Sequence, residues 1–376
     1  MRQTDFGRIA ILVLSVLVLT GLGFGVVAGR QLRAPLPDAF ADGEAPVLRV
    51  TVPLTPLPLL AESKAGGPPS DRVGALVYRG GLSFSMAHTA RLGGLSALHV
   101  RPRSDGQLQV VGLSDTGDWL AMALPQPEQW AKAQHSTVLH LGLLQDTGGR
   151  PHLDKREGDA ESLAVDPVSG TVFVGFEQTH RIQAYRAPAG LSGRADTLNL
   201  TNLPSMPRNR GFEALTVGRA ASGDTVLLAG TEDGGLYVCP VAGGACRFRA
   251  KLLAAGARGG GFGGLGYSLT SLEALPPAEG QETRDLIALF RHFDPIQGFW
   301  GQIAHIRLND DDRGESVKVT HLATLSPPYM RGNLEGLWVL PIEGGWRIFV
   351  ASDNNFMPDV PTTLQAFDWM APLEAH

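Results

Sequence analysis

Charge and cysteine are both scarce in this chain, and each shortage excludes something. With 18% of residues charged, too few solvated positions exist for a bundle of long surface helices. No run of Lys or Arg forms a basic stripe, and the formal net charge of -5 offers no field to a polyanion, so nucleic acid is not an expected partner. Two cysteines are too few for a structural zinc site. No G-x-S-x-G elbow occurs, which argues against a serine triad. No long amphipathic segments separate the strand candidates, so a parallel α/β sheet is excluded too. What the chain has in quantity is punctuation: 47 Gly and 26 Pro, the composition of many short strands and tight turns.

The first eight residues carry Arg2 and Arg8, and an uncharged apolar stretch follows from Ile9 to Gly29. That length crosses a bilayer as a helix, so residues 1–30 read either as a membrane anchor or as a signal peptide cleaved near Val26-Val27-Ala28. Residues 31–72 are rich in proline and read as an extended linker. The remaining domain is expected over 73–371. Cys239 and Cys246 bracket Pro-Val-Ala-Gly-Gly-Ala between two strand-like runs, where Gly243-Gly244 turns the chain. In the oxidising compartment that export implies, this hairpin is expected to carry a disulfide.

One short pattern recurs: Gly-Leu-Ser96-Ala-Leu, Ala-Glu161-Ser-Leu-Ala, Phe-Glu213-Ala-Leu, Leu-Glu273-Ala-Leu and Leu-Glu335-Gly-Leu. Between successive copies four short alternating runs can be read, separated by Gly, Pro, Asp and Asn. After the last copy only three runs remain, but VGALVYRGGLSFSM (73–86) supplies an unassigned strand at the other end. The expected fold is all-β: a single β-propeller of four-stranded blades closed by this N-terminal strand, which leaves no open edge. The count is five blades, or six if the interval from Ser96 to Glu161 conceals another. The only helix expected inside the domain is a short one near Pro127 to Gln134. The glycine-rich run 256–266 contains a formal G-x-G-x-x-G, but no βαβ unit surrounds it, so it reads as a loop.

In such a ring the starts of the innermost strands and the ends of the second strands share one mouth of a central channel. That gathers Glu161, Glu213, Glu273 and Glu335 with Asp115, Glu177, His180, Arg181, Arg291, His292, Asp353 and Asn354. So many carboxylates repel one another unless compensated. A hard divalent cation such as Ca²⁺ suits their oxygens, with Glu161, Glu213, Glu273, Glu335 and Asp115 as ligands. Arg181, Arg210, Arg291 and Arg331 suit them equally well. In a hydrolase, Glu177 or Asp353 would activate water and His180 or His292 would protonate the leaving group, while Arg181, Arg291, His292, Asn354 and Arg331 would bind substrate. The bland alternative is that each repeated glutamate accepts hydrogen bonds from the next blade and serves the architecture.

At these motifs the chain resembles the phytase-like family whose members are described as having esterase-like activity, a family of bacterial exported proteins. The resemblance rests on YRGGL (78–82), LGGLSAL (92–98), SDTGDW (114–119), DAESLAV (159–165), GFEQTHR (175–181), NRGFEAL (209–215), FRHFDPIQGFWGQI (290–303), NLEGLWV (333–339) and SDNNF (352–356). Where the family opens its fourth blade with proline-threonine-aspartate, this chain has Ser268-Leu-Thr270-Ser271-Leu-Glu273. The resemblance implies a propeller domain and hydrolysis of a phosphate or carboxylate ester, with calcium by analogy with β-propeller phytases. The expected location is the periplasm, either secreted or tethered to the inner membrane by residues 9–29, and the expected state is a monomer. The second reading is a non-catalytic envelope propeller that binds a ligand or protein partner.

Overall fold

The structure is a computed structural model and describes residues 47–57, 71–84, 93–132, 136–254, 266–294, 298–309, 317–326, 332–357 and 360–370. The hydrophobic segment 9–29, most of the glycine-rich run and Arg331 lie outside the described residues. Among those described, no helix is long and apolar enough to cross a membrane.

Turn residues cut the chain into short strands that pair with their sequence neighbours. Strands β1 (Leu48–Leu57), β2 (Arg72–Val73) and β3 (Leu76–Phe84) precede the repeats. A first antiparallel meander follows in β4 (Leu95–Pro102), β5 (Leu108–Ser114), β6 (Asp118–Leu124) and β7 (Ser136–Leu143). The second is β8 (Ala160–Val165), β9 (Val172–Phe176), β10 (Arg181–Tyr185) and the two-residue β11 (Asp196–Thr197). Next come β12 (Leu200–Thr201), then a third meander of β13 (Phe212–Arg219), β14 (Thr225–Thr231), β15 (Gly235–Pro240) and, after β16 (Gly244–Ala245), β17 (Arg247–Lys251). The fourth is β18 (Ser268–Ala274), β19 (Asp285–Asp294), β20 (Gly298–Leu308) and β21 (Val317–Leu325). Three strands end the chain: β22 (Asn333–Ile342), β23 (Gly345–Asp353) and β24 (Thr362–Trp369).

That last group is completed from the other end of the sequence. β3 pairs antiparallel with β24, setting Leu82 opposite Leu364 and Phe84 opposite Thr362. The first strands of the meanders then touch in cyclic order: β4 against β8, β8 against β13, β13 against β18, β18 against β22, and β22 back against β4. The core is correspondingly divided into apolar layers, each between two consecutive sheets. Leu163, Val174 and Phe176 pack on Leu113 and Trp119, while Leu337 and Ile348 pack on Ile287 and Ile303. Burying one such side chain contributes about 1.5–3 kcal/mol, so every sheet needs both neighbours.

Two expectations need correction. The linker assigned to 31–72 contains the packed strand β1, which pairs with β3 on one side and β7 on the other and so fuses the two sheets at the seam into one. Its prolines, Pro53 and Pro56, misled because Leu48, Val50, Val52 and Leu54 alternate at period two and point into the core. The second meander's outer strand β11 spans only Asp196–Thr197, although the sequence TLNLTNL (197–203) alternates as a longer strand would. Leu198, Leu200 and Leu203 instead pack around the buried Cys239 and Cys246, and β12 pairs with β16. These two cysteines are disulfide-bonded. The short helix forms as a 3-10 turn over Pro127–Lys132, anchored by the fully buried Trp130, whose indole N–H donates to the Pro125 carbonyl at 2.8 Å.

Leu82 is fully buried at the closing strand. Leu82→Ala is expected to lower unfolding free energy by about 2–5 kcal/mol in chemical denaturation, while the exposed Val168→Ala stays within roughly 0.5 kcal/mol of wild type.

Candidate functional site

Each first strand carries a β-bulge at its second or third residue. The register shifts fall at Ser96, Glu161, Glu213, Thr270 and Glu335, between the paired residues on either side. A bulge re-aims the extra residue out of the ladder. Three of these side chains, Glu161, Glu213 and Glu335, therefore turn into a cavity of about 460 Å³ at one mouth of the ring. A second set comes from the far ends of the second strands, where the equivalent positions are Asp115, Glu177, Glu232, Arg291 and Asp353, and all five line the same cavity. Arg210, Asn209 and Asn355 complete its wall. Seven carboxylates thus face two guanidinium groups. A larger crevice of about 1280 Å³ lies beside β1, β6 and β7, but no comparable set of acids converges there.

Hydrogen bonds between neighbouring sheets hold this mouth together. Ser96 Oγ donates to the Ala160 carbonyl and Ser162 Oγ to the Phe212 carbonyl, both at 2.5 Å. Glu177 Oε1 accepts from the Gly211 amide at 2.9 Å, and Asp353 Oδ1 accepts from the Leu95 amide at 3.2 Å. Ser268 Oγ donates to Glu232 Oε1 at 3.2 Å. Gly94 has a φ of +61°, and a Cβ there would stand 2.0 Å from Asp115 Oδ1, so a side chain at this position would displace the carboxylate.

The cations are placed individually. Arg291 donates through Nη1 to Asn333 Oδ1 at 2.7 Å and to Glu335, and Arg210 Nε lies 3.2 Å from Glu232 Oε2. Lys155, on a single helical turn before β8, sets its ammonium 2.5 Å from Asp115 Oδ2 and 3.1 Å from Asp159 Oδ1. Three positive groups do not cancel the acids. Burial first, and then Glu213, Asp159 and Asp115, push the Glu161 carboxyl well above the ordinary range. Burial, then Glu177, Glu232 and Glu335, do the same to Glu213, and burial with Glu335 and Asp115 to Asp353. Glu177 is pushed up to about 7, by burial and then by Asp159, against the stabilising effect of its hydrogen bond to Glu213. Burial and mutual repulsion thus push both members of the Glu177–Glu213 pair toward the protonated form.

Not all the expected residues meet here. Glu273 does not: its letters repeat the motif, but the bulge belongs to Thr270, three residues earlier, and Glu273 lies at the other end of β18 beside the opposite mouth. His180 and Arg181 leave the turn after Glu177 in the wrong direction. His180 Nε2 contacts the Pro207 carbonyl at 3.1 Å, and Arg181 stacks over Phe176 at 4.0 Å and donates to the Thr179 and Glu157 carbonyls. His292 Nδ1 contacts the Gly266 carbonyl at 3.0 Å, outside the cavity lining. Asn354 Oδ1 accepts from the Phe356 amide within its own turn, and Asn355 reaches the cavity in its place. Sequence reasoning missed Lys155 and Asp159 and assigned no role to Glu232. Glu232 was detectable as the residue after the second strand, in the position of Asp115 and Glu177; Lys155 carried no signal.

The carboxylate oxygens of Asp115, Asp159 and Glu161 lie within 4.8 Å of one another. Asp115 Oδ1 is buried and accepts no hydrogen bond, and Asp159 Oδ1 faces only the Lys155 ammonium. Hard oxygen donors with spare lone pairs and surplus negative charge fit a calcium ion, which would compete with Lys155 for the same oxygens.

Fold and site together define an all-β protein built as a ring of sheets around an acidic mouth. The chain belongs to the Phytase-like family, described as esterase-like activity of phytase, whose model matches residues 90–356. No curated protein matches the sequence. Among solved structures it is similar to the Malassezia sympodialis allergen Mala s 1, at 12% identity over 81% of this chain and 93% of that one, with a TM-score of 0.40. It is similar to an α-L-arabinofuranosidase from Lactobacillus brevis at 10% identity over 73% and 91%, with a TM-score of 0.42. Sqt1 of Chaetomium thermophilum follows at 16% identity over 80% and 67%, with a TM-score of 0.35. No residue role is carried over from these three.

The raised carboxyls set a pH dependence. The folded protein keeps protons that the unfolded chain has lost between the ordinary glutamate value of 4.5 and the Glu177 value of about 7, so stability falls as pH rises through this window. With chelator present, the thermal midpoint is expected to be higher at about pH 5 than at about pH 8, and Glu177→Gln is expected to flatten the slope. A midpoint that climbs toward pH 8 would contradict this electrostatic picture.

Proposed function

We propose that this protein is an exported ester hydrolase whose active site is the acidic mouth of a five-bladed β-propeller. The observation that carries the reading is the Glu177–Glu213 pair. With both carboxyls pushed upward and in contact, the pair would supply one carboxylate able to take a proton and one carboxylic acid able to give one, both in a cavity open to a small substrate. Glu177 removes a proton from water as that water adds to the ester centre. Glu213 returns a proton to the leaving alkoxide oxygen. The Arg291 guanidinium, buried beside Glu335 and Asn333, offers a fixed positive charge to the oxygen on which charge accumulates. Export is supported by the apolar segment 9–29 and by the disulfide.

Calcium enters as part of the same proposal. Asp115, Asp159 and Glu161 would hold it, displacing the Lys155 ammonium. Bound there, it would neutralise an anionic substrate group and polarise the ester. The surplus of carboxylates predicts the substrate dependence: a phosphomonoester is repelled without the ion, while an uncharged carboxylate ester is not. A second reading, ligand binding without turnover, is favoured by the bonds that Glu177, Glu232 and Asp353 make to adjoining sheets, since those bonds serve assembly whatever the chemistry.

Hydrolysis of p-nitrophenyl phosphate and p-nitrophenyl acetate should be followed with calcium and with chelator. The phosphate ester is expected to turn over only with calcium, and Glu177→Gln to lower kcat by about 10²–10⁴-fold while the protein stays folded. No turnover of either ester, or unchanged turnover in Glu177→Gln, would remove the hydrolase reading. Asp159→Asn is expected to weaken calcium binding in calorimetry by about tenfold or more, because it takes one charged oxygen donor from the set.

A further inference from the structure

The ring has a second mouth, and its chemistry is unlike the first. The ends of the same innermost strands, with the loops that follow them, enclose a cavity of about 730 Å³. Its wall is largely apolar: Val165, Val217, Leu340 and the prolines of the β18–β19 loop surround two indoles, Trp338 and Trp346. Trp338 packs edge-on to His99 with ring centroids 4.1 Å apart, and neither the Trp338 indole N–H nor His99 Nδ1 has a hydrogen-bond partner. A volume of this size within a mostly apolar wall holds a small organic ligand.

Three carboxylates line this space, Asp166, Glu273 and Glu279, and Glu273 stands on the innermost strand β18. Glu273 is half-buried, and Thr216 Oγ1 donates to its Oε2 at 3.3 Å. No Lys or Arg among the described residues forms a salt bridge with it. The other titratable groups on the wall are His99, Asp166, Glu279 and Arg219. Arg219 is exposed and directs Nη1 back to the Gly223 carbonyl at 3.2 Å and to Thr225 Oγ1 at 3.4 Å. His99 is held neutral, its value lowered to about 4 by burial and then by Arg101. Burial pushes the Glu273 carboxyl well above its usual range. The cavity therefore offers aromatic faces and acidic groups with no cation committed to Glu273.

We propose that this second mouth is a binding site for an organic cation, an amine or quaternary ammonium with an apolar body. The charged head would rest between Glu273 and the indole faces, displacing to solvent the proton that burial favours on Glu273 and gaining from both the carboxylate so formed and the ring quadrupoles. The apolar body would lie against the proline and leucine wall. The site goes beyond the hydrolase reading and does not rest on it.

Benzyltrimethylammonium, which cannot titrate, is the probe, with benzyl alcohol as its uncharged counterpart. Binding to the purified full-length protein is read by tryptophan fluorescence and by calorimetry. The expected result is saturable binding of one cation per chain, with benzyl alcohol weaker by at least about tenfold. Glu273→Gln is expected to weaken the cation by at least about tenfold, and Trp346→Ala by about three- to tenfold. Glu177→Gln, at the other mouth, is expected to leave it unchanged. Absence of saturable binding, equal affinity for benzyl alcohol, or unchanged affinity in folded Glu273→Gln would overturn the proposal. Loss of binding in Glu177→Gln would also overturn it, by placing the cation at the acidic mouth. Should Glu273→Gln fail to fold, Trp346→Ala decides: undiminished affinity there overturns the site.

Discussion

Closure of the ring by β3 is the constraint on which the rest depends. Without the pairing of β3 with β24, the last sheet would lack its outer strand, the layer around Leu82 and Leu364 would open, and the cyclic contacts of the first strands would be lost. Those contacts carry the five bulges to a common axis. The acidic mouth is thus a property of the closed ring, since no single meander supplies more than two of its carboxylates.

The same closure explains the electrostatics. Radial packing removes the mouth from water on all sides but one, which raises the free energy of every ionised group there. The protein meets this with three fixed cations, with hydrogen bonds from neighbouring sheets and with retained protons. The two mouths divide the labour: acids from every meander but the fourth, which supplies Arg291, converge at one, while three acids stand among largely apolar walls at the other. The polarity of the channel follows from which residues each innermost strand places at its start and at its end.

Much of this was legible in the sequence. Strand after strand fell where period-two alternation met Gly and Asp turns, and the closing strand announced itself by having no partner in its own repeat. Glu161, Glu213 and Glu335 were legible because the bulge recurs with the same neighbours. Glu273 was misassigned because Leu-Glu-Ala-Leu matches by letters, whereas the bulge falls in Leu-Thr-Ser-Leu; only the register with β19 distinguishes them. His180 and Arg181 sit beside Glu177 in sequence, yet a tight turn with Gln178 at a φ of +51° sends them away from it. Lys155 could not be found, because its place beside Asp115 comes from a packing of two loops that no local pattern encodes. β1 was obscured by proline, whose penalty is modest here because each half of the strand has one partner, Leu48–Pro53 on β7 and Leu54–Leu57 on β3.

The position of β1 bears on how the chain is made. During synthesis β3 emerges long before β24, so its pairing edge must wait for nearly the whole domain to appear. A waiting edge invites contact with other nascent chains. β1, which pairs directly with β3, lies next to it in sequence and can form a local hairpin early, so one side of the closing strand is already occupied while the other is held open for the last strand to arrive.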